Sequence, residues 1–164
     1  MKFKNVRHII TDIEGTTTSV SFVYETLFPY FRENLKELKS LTHLEEVQHA
    51  FKATSHLSNK LEGKKLTSVD QILDTLERWS KEDRKVTPLK DVQGVIWKKA
   101  YEEGRIKGHV YPDVLPCLQK WRSNNITLSV FSSGSVAAQK LLFSYSEEGD
   151  LAKFFNGFHD TNTG

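Results

Sequence analysis

Asp12 and Glu14 stand two residues apart in the run Asp12-Ile13-Glu14-Gly15-Thr16-Thr17. On a strand that spacing sends both side chains to the same face. Here the chain is leaving an apolar run, so both carboxylates can overhang one pocket. Two carboxylates so placed can hold a hard cation such as Mg²⁺. They can also divide labour, one attacking phosphorus as a nucleophile and the other moving protons. Gly15 permits a tight turn after them, and Thr16 adds a hydroxyl and a backbone N–H. The same acidic pair would equally open an ordinary solvated loop.

A second group lies far downstream, at Ser132-Ser133-Gly134-Ser135-Val136. Hydroxyls and backbone N–H groups meeting at a helix N-terminus form an intrinsic phosphate site. The competing reading is a plain capped loop, with Ser135 satisfying helix donors. A serine nucleophile is disfavoured: the G-x-S-x-G elbow is absent, and no His–Asp partner can be placed.

Positioning both groups requires two strands. His8-Ile9-Ile10-Thr11-Asp12-Ile13 is apolar and β-branched, and Gly15 and its threonines stop it. It reads as a buried strand. Ile126-Thr127-Leu128-Ser129-Val130-Phe131 has the same character and stops at the serines. A helix is expected over 136–143 with Ser135 as its N-cap, and another over 113–122 behind Pro112. In that earlier helix Val114, Leu115, Leu118 and Trp121 can share a face. Strands ending in polar loops and alternating with helices imply an α/β layer with a parallel sheet, whose ligands bind outside the strands' carboxyl ends.

The middle of the chain differs. It is charged, lacks strand-like runs and carries helical stripes: Leu35, Leu38, Leu41 and Leu44 at three-residue spacing, then Ile72, Leu73, Leu76 and Trp79, then Val92, Val95, Ile96 and Lys99. This reads as a helical insert after the first strand, over residues 21–104, with 1–20 and 105–164 forming the core.

Composition restricts the function classes. A length of 164 residues suits one domain with an insert, and a net charge of +2 offers no case for nucleic acid or a membrane as main partner. Cys117 is the single cysteine, which excludes an internal disulfide. The first residues have no long apolar stretch, and no run approaches the ~20 apolar residues of a membrane span. A cytoplasmic protein is expected, nuclear as well if the source is eukaryotic.

Taken together, the acidic pair and the serine loop resemble the first two motifs of the haloacid dehalogenase superfamily. The resemblance to the enolase-phosphatases is closer still. It is carried by the Asp12–Thr17 run with Glu14 at its second acidic position, by Phe22-Val23 and Leu27-Phe28-Pro29-Tyr30, and by Gly104-Arg105 and Trp121-Arg122. Its most specific part is Ser132-Ser133-Gly134-Ser135-Val136-Ala137-Ala138-Gln139-Lys140-Leu141-Leu142-Phe143. Gly149-Asp150-Leu151 and residues 160–164 continue the pattern.

That resemblance implies a Rossmann-like core with a helical cap inserted after the first strand. It implies conversion of 2,3-diketo-5-methylthiopentyl-1-phosphate to the acireductone 1,2-dihydroxy-3-keto-5-methylthiopentene, by enolisation and then dephosphorylation, in methionine salvage. Asp12 would be the nucleophile and a metal ligand, Glu14 a metal-site and proton-transfer residue, and Ser132 and Ser133 the phosphate binders, with one Mg²⁺ and a monomeric enzyme. Family members continue past the position of Gly164 into a lysine and a further acidic metal ligand. Neither lies in this sequence, so the resemblance implies a C-terminally truncated chain. Two alternatives stand beside it. One is a phosphatase of the same superfamily for another small phosphorylated metabolite. The other is an inactive binding protein on a degenerate core.

The remaining candidates have bland readings. His43, His49 and His56 lack the i, i+4 spacing of a helical zinc site and read as solvated. His8 reads as structural, and Cys117 as a small core residue. His109 and His159 fall near strand ends, and His159 beside Asp160 could line the pocket.

Overall fold

Ser135 accepts a hydrogen bond from Ala138 N–H at 3.3 Å and so caps a helix of residues Val136–Ser144. This local event lies within a computed structural model that describes residues 5–161. The expected residues 162–164 of the family pattern lie outside that range. The chain divides into two compact units, one formed by Met1–Tyr24 with Ala100–Gly164 and the other by Glu25–Lys99.

The first unit is built on a sheet of β1 (His8–Thr11), β2 (Thr127–Phe131) and β3 (Gly157–His159), in that order and all parallel. Thr11 pairs with Val130, and Phe131 with His159. Helix α5 (Val114–Ser123) precedes β2, and α6 (Val136–Ser144) joins β2 to β3; α1 to α4 belong to the intervening sequence. β2 is central, and its Leu128, Ser129 and Val130 are buried. Ser129 tolerates this because its hydroxyl meets His8 Nε2 at 3.0 Å. Below it Phe143 of α6 is fully buried against Phe155 and Phe158, with ring centroids 4.7 and 6.2 Å away.

The reading of β1 as a buried strand is corrected. His8 and Ile10 face outward, and Ile10 is 65 % exposed. β-Branched residues report a preference for extended backbone, whereas burial depends on what packs over them. Among the described residues, β1 has a strand on one side only.

The second unit is helical. A short π-helical turn (Phe22–Leu27), whose first three residues belong to the first unit, runs into α1 (Phe28–Asn34), with Pro29 in its first turn. A 3₁₀ helix follows over Leu35–Lys39, where Leu35 and Leu38 are buried. The three-residue leucine spacing is the 3₁₀ period, so these two side chains stack on one face. Helix α2 (Glu45–Glu62) ends at Gly63, whose φ of 63° gives the left-handed cap. Helix α3 (Val69–Lys81) starts from Ser68, which accepts from Gln71 N–H, and it buries Leu73, Leu76 and Trp79. Helix α4 (Thr87–Glu102) buries Val92 and Ile96, and the Trp97 indole N–H donates to Leu27 O at 3.0 Å. Lys99 forms an ion pair with Glu37 at 2.6 Å.

Beside α3, the Glu62 carboxylate accepts from Trp79 Nε1 at 2.8 Å, Arg84 Nη1 at 2.7 Å and Arg78 Nη2 at 2.5 Å. The Trp79 bond, with help from the two guanidiniums, holds its pKa down at about 2.

Candidate functional site

Asp12 leaves β1 one residue past its last pair, and Ser132 leaves β2 one residue past its own. The strands are adjacent and parallel, so both loops emerge at the carboxyl edge of the same sheet. Asp12 and Glu14 are exposed, with Ile13 buried between them. Ile13 N–H donates to Asp12 Oδ1 at 2.7 Å, which sets the carboxylate's orientation.

The turn after them closes on one carbonyl. Ile13 O accepts from the N–H groups of Thr16, Thr17 and Thr18 at 3.1, 2.9 and 3.0 Å. The Thr16 N–H that the sequence offered to the site is therefore engaged inside the turn. Gly15 has φ 75°, and its N–H reaches Thr18 O at 2.8 Å, which only a residue at ease in the left-handed region allows. The turn is then fastened from the segment preceding α5. Tyr111 N–H donates to Thr17 O at 3.0 Å. His109 Nδ1 lies 3.2 Å from Ser19 N and 3.0 Å from Thr18 Oγ1. Ser19 N–H can only donate, so Nδ1 accepts and the Thr18 hydroxyl donates to it. Phe22 and Tyr111 pack the imidazole in place.

The serine loop is more committed than its sequence suggests. Ser132 is buried and Ser133 exposed. Ser132 Oγ accepts from Gly134 N–H at 3.3 Å. At the start of α6, the Val136 N–H goes to Asp160 Oδ2 at 3.3 Å and the Ala138 N–H to Ser135. Two of the first N–H groups of α6 are thus already engaged within the chain. Asp160 is buried at the end of β3 and already supplies a carboxylate to the helix's positive end.

Three residues bear on the loops that composition and motif reading gave no role. His109 anchors the first turn. Asp160 and Gln139 anchor the second: Gln139 Nε2 donates to Gly134 O and to His159 O, both at 2.8 Å. The signal for Gln139 was legible, since it shares the buried stripe of Leu142 and Phe143 at i+3 and i+4. His159 touches the serine loop through its carbonyl, which also accepts from Ser132 N–H at 3.2 Å, while its side chain is exposed. Lys140 Nζ stands 5.9 Å from the centroid of Phe158's ring. His43, His49 and His56 are exposed.

Among the described residues, no three His, Cys, Asp or Glu side chains cluster as a metal site. Asp12 and Glu14 nevertheless suit Mg²⁺ by type. That ion takes oxygen ligands, commonly one or two carboxylates supplemented by water and substrate phosphate. No helix among these residues is long and apolar enough to cross a membrane.

Comparison with known proteins agrees with this architecture. The haloacid dehalogenase-like hydrolase family matches residues 6–162. Enolase-phosphatase E1 of a Picosynechococcus species is 48 % identical over 161 residues, covering 97 % of this chain and 69 % of that protein. Enolase-phosphatase E1 of Cronobacter sakazakii is 46 % identical over 163 residues, with 97 % and 68 % covered. The crystal structure of the UTR4 protein of Saccharomyces cerevisiae superposes with a TM-score of 0.76 at 31 % identity, covering 97 % of this chain and 69 % of that one. With its acidic turn and serine loop at one sheet edge, and with this identity sustained along nearly its whole length, the chain belongs to the haloacid dehalogenase-like hydrolases and, within them, to the enolase-phosphatase E1 family.

Proposed function

We propose that the chain acts as an enolase-phosphatase, enolising 2,3-diketo-5-methylthiopentyl-1-phosphate and then hydrolysing its phosphate to release the acireductone. The observation that carries this reading is the emergence of the Asp12 and Ser132 loops from neighbouring parallel strands at the same end. In it, Ser132 and Ser133 hold the substrate phosphate through their hydroxyls. Asp12, oriented by the Ile13 N–H on Oδ1, attacks phosphorus through Oδ2 and forms an aspartyl-phosphate. The P–O bond to the substrate breaks, and the enol oxygen leaves. Water then hydrolyses the acyl phosphate and restores Asp12. Glu14, exposed two residues on, transfers protons in the enolisation and to or from the water and leaving oxygen. Asp12 and Glu14 would hold Mg²⁺, which would supply charge neutralisation for the transferring phosphoryl group.

Residues 21–104 form a helical cap, and residues 1–20 and 105–164 form the phosphatase core. The partner is a small phosphorylated metabolite, and the protein works as a cytoplasmic monomer. The test is phosphate release from the diketo-phosphate with Mg²⁺, with Asp12→Asn in parallel. Release abolished by Asp12→Asn and by chelation is expected. Release that survives Asp12→Asn sinks the nucleophile assignment, and equal rates on unrelated phosphomonoesters sink the substrate assignment.

A further inference from the structure

We infer that Gln139 is a positioning residue for the phosphate-binding turn, an inference that rests on the phosphatase reading above. Gln139 lies one turn into α6 and is 2 % exposed. Its amide nitrogen carries two protons, and both are spent on carbonyls of different segments: Gly134 O in the turn and His159 O at the end of β3, each at 2.8 Å. The same His159 carbonyl takes the Ser132 N–H, and Asp160 takes the Val136 N–H. Residues 132–136 are thereby tied to the end of β3 at both edges of the turn, with Gln139 bridging between.

The need for such a tie is physical. Ser132 lies one residue beyond the paired part of β2, and the regular bonds of α6 begin only at Gln139 N–H to Ser135 O. Between them the backbone has no ladder of its own to fix where the two hydroxyls point. An uncharged carboxamide supplies two diverging donors at no cost in buried charge. Leucine supplies none, and glutamate presents a carboxylate to two carbonyl oxygens. Misplacing hydroxyls that must reach phosphate oxygens within hydrogen-bond distance weakens binding without any contact to the ligand being removed.

The experiment measures inorganic phosphate affinity and thermal stability together, on the wild-type chain and on Gln139→Leu, Gln139→Glu and Ser133→Ala. Backbone amide exchange at Ser132 and Val136 is followed in the same samples. The expected result is phosphate binding about tenfold weaker in both Gln139 variants. Faster exchange at Ser132 and Val136 should accompany it, with exchange in β1 and α5 unchanged. Affinity within twofold of wild type in a folded variant overturns the inference, as does a fall in melting temperature with no change in affinity. If neither variant folds, Gln139 is a folding residue and the proposal fails. Wild-type protein that binds no phosphate, or Ser133→Ala that binds as wild type, overturns the phosphate-site reading itself. That failure is distinct from a Gln139 variant behaving as wild type.

Discussion

Replacing Glu62 by glutamine should remove a pH-dependent share of stability while leaving the shape of its site intact. Glutamine can still accept the Trp79 indole N–H, so the change isolates the charge facing Arg78 and Arg84. A carboxyl whose pKa falls from 4.5 to about 2 on folding gains roughly 3 kcal/mol at neutral pH. That figure is a ceiling. Glu62 is 19 % exposed and its partners Arg78 and Arg84 are 37 % and 30 % exposed, so water screens both pairs. About 1–2 kcal/mol is the expected share, or about 3–6 °C of melting temperature for a chain of this size. The sign follows from the depressed pKa. The stabilisation is fully present above about pH 4.5 and is lost as pH falls toward about 2. Wild type and Glu62→Gln should therefore differ most at pH 6–7 and converge as pH falls from about 4.5 toward about 2. Urea unfolding followed by tryptophan fluorescence reads this directly, since Trp79 sits in the cluster. A gap of the same size at pH 3 and pH 7 would refute the electrostatic account and leave only altered packing.

Other substitutions test the core of the first unit. A Cβ added at Gly108 would lie 2.1 Å from Leu142 O, while Gly108's own N–H and C=O are held by Tyr145 O and Glu147 N–H. Gly108→Ala should cost about 3 kcal/mol or more, and near-wild-type urea stability would contradict that close approach. Phe143→Ala empties a fully buried site against Phe155 and Phe158 and should cost about 3–5 kcal/mol by chemical denaturation. Ser135→Ala removes the cap of α6 and should cost about 1 kcal/mol, recovered by Ser135→Asn. Equal melting temperatures for all three proteins would mean the cap contributes nothing.

Much of this protein was legible in its sequence because the signals are local. Apolar β-branched runs stopped by Gly15 and by the serines mark β1 and β2. Ser135 announces the start of α6, and the stripe of Leu73, Leu76 and Trp79 marks α3. Asp12, Glu14, Ser132 and Ser133 are conspicuous because reactive groups at strand ends need no distant partner to be recognised. The tertiary structure decided what depends on meetings across sequence. It left one face of β1 uncovered, although composition alone made that strand look buried. It spent the Thr16 N–H on Ile13 O and the Val136 N–H on Asp160, donors that a linear reading would have assigned to a ligand. It joined His109 to a turn ninety residues away, through Ser19. It also gave Gln139 two carbonyls from two segments. Hydrogen bonds between segments that are far apart in sequence carry no periodicity and leave no motif, so only the folded chain shows which polar groups are already taken.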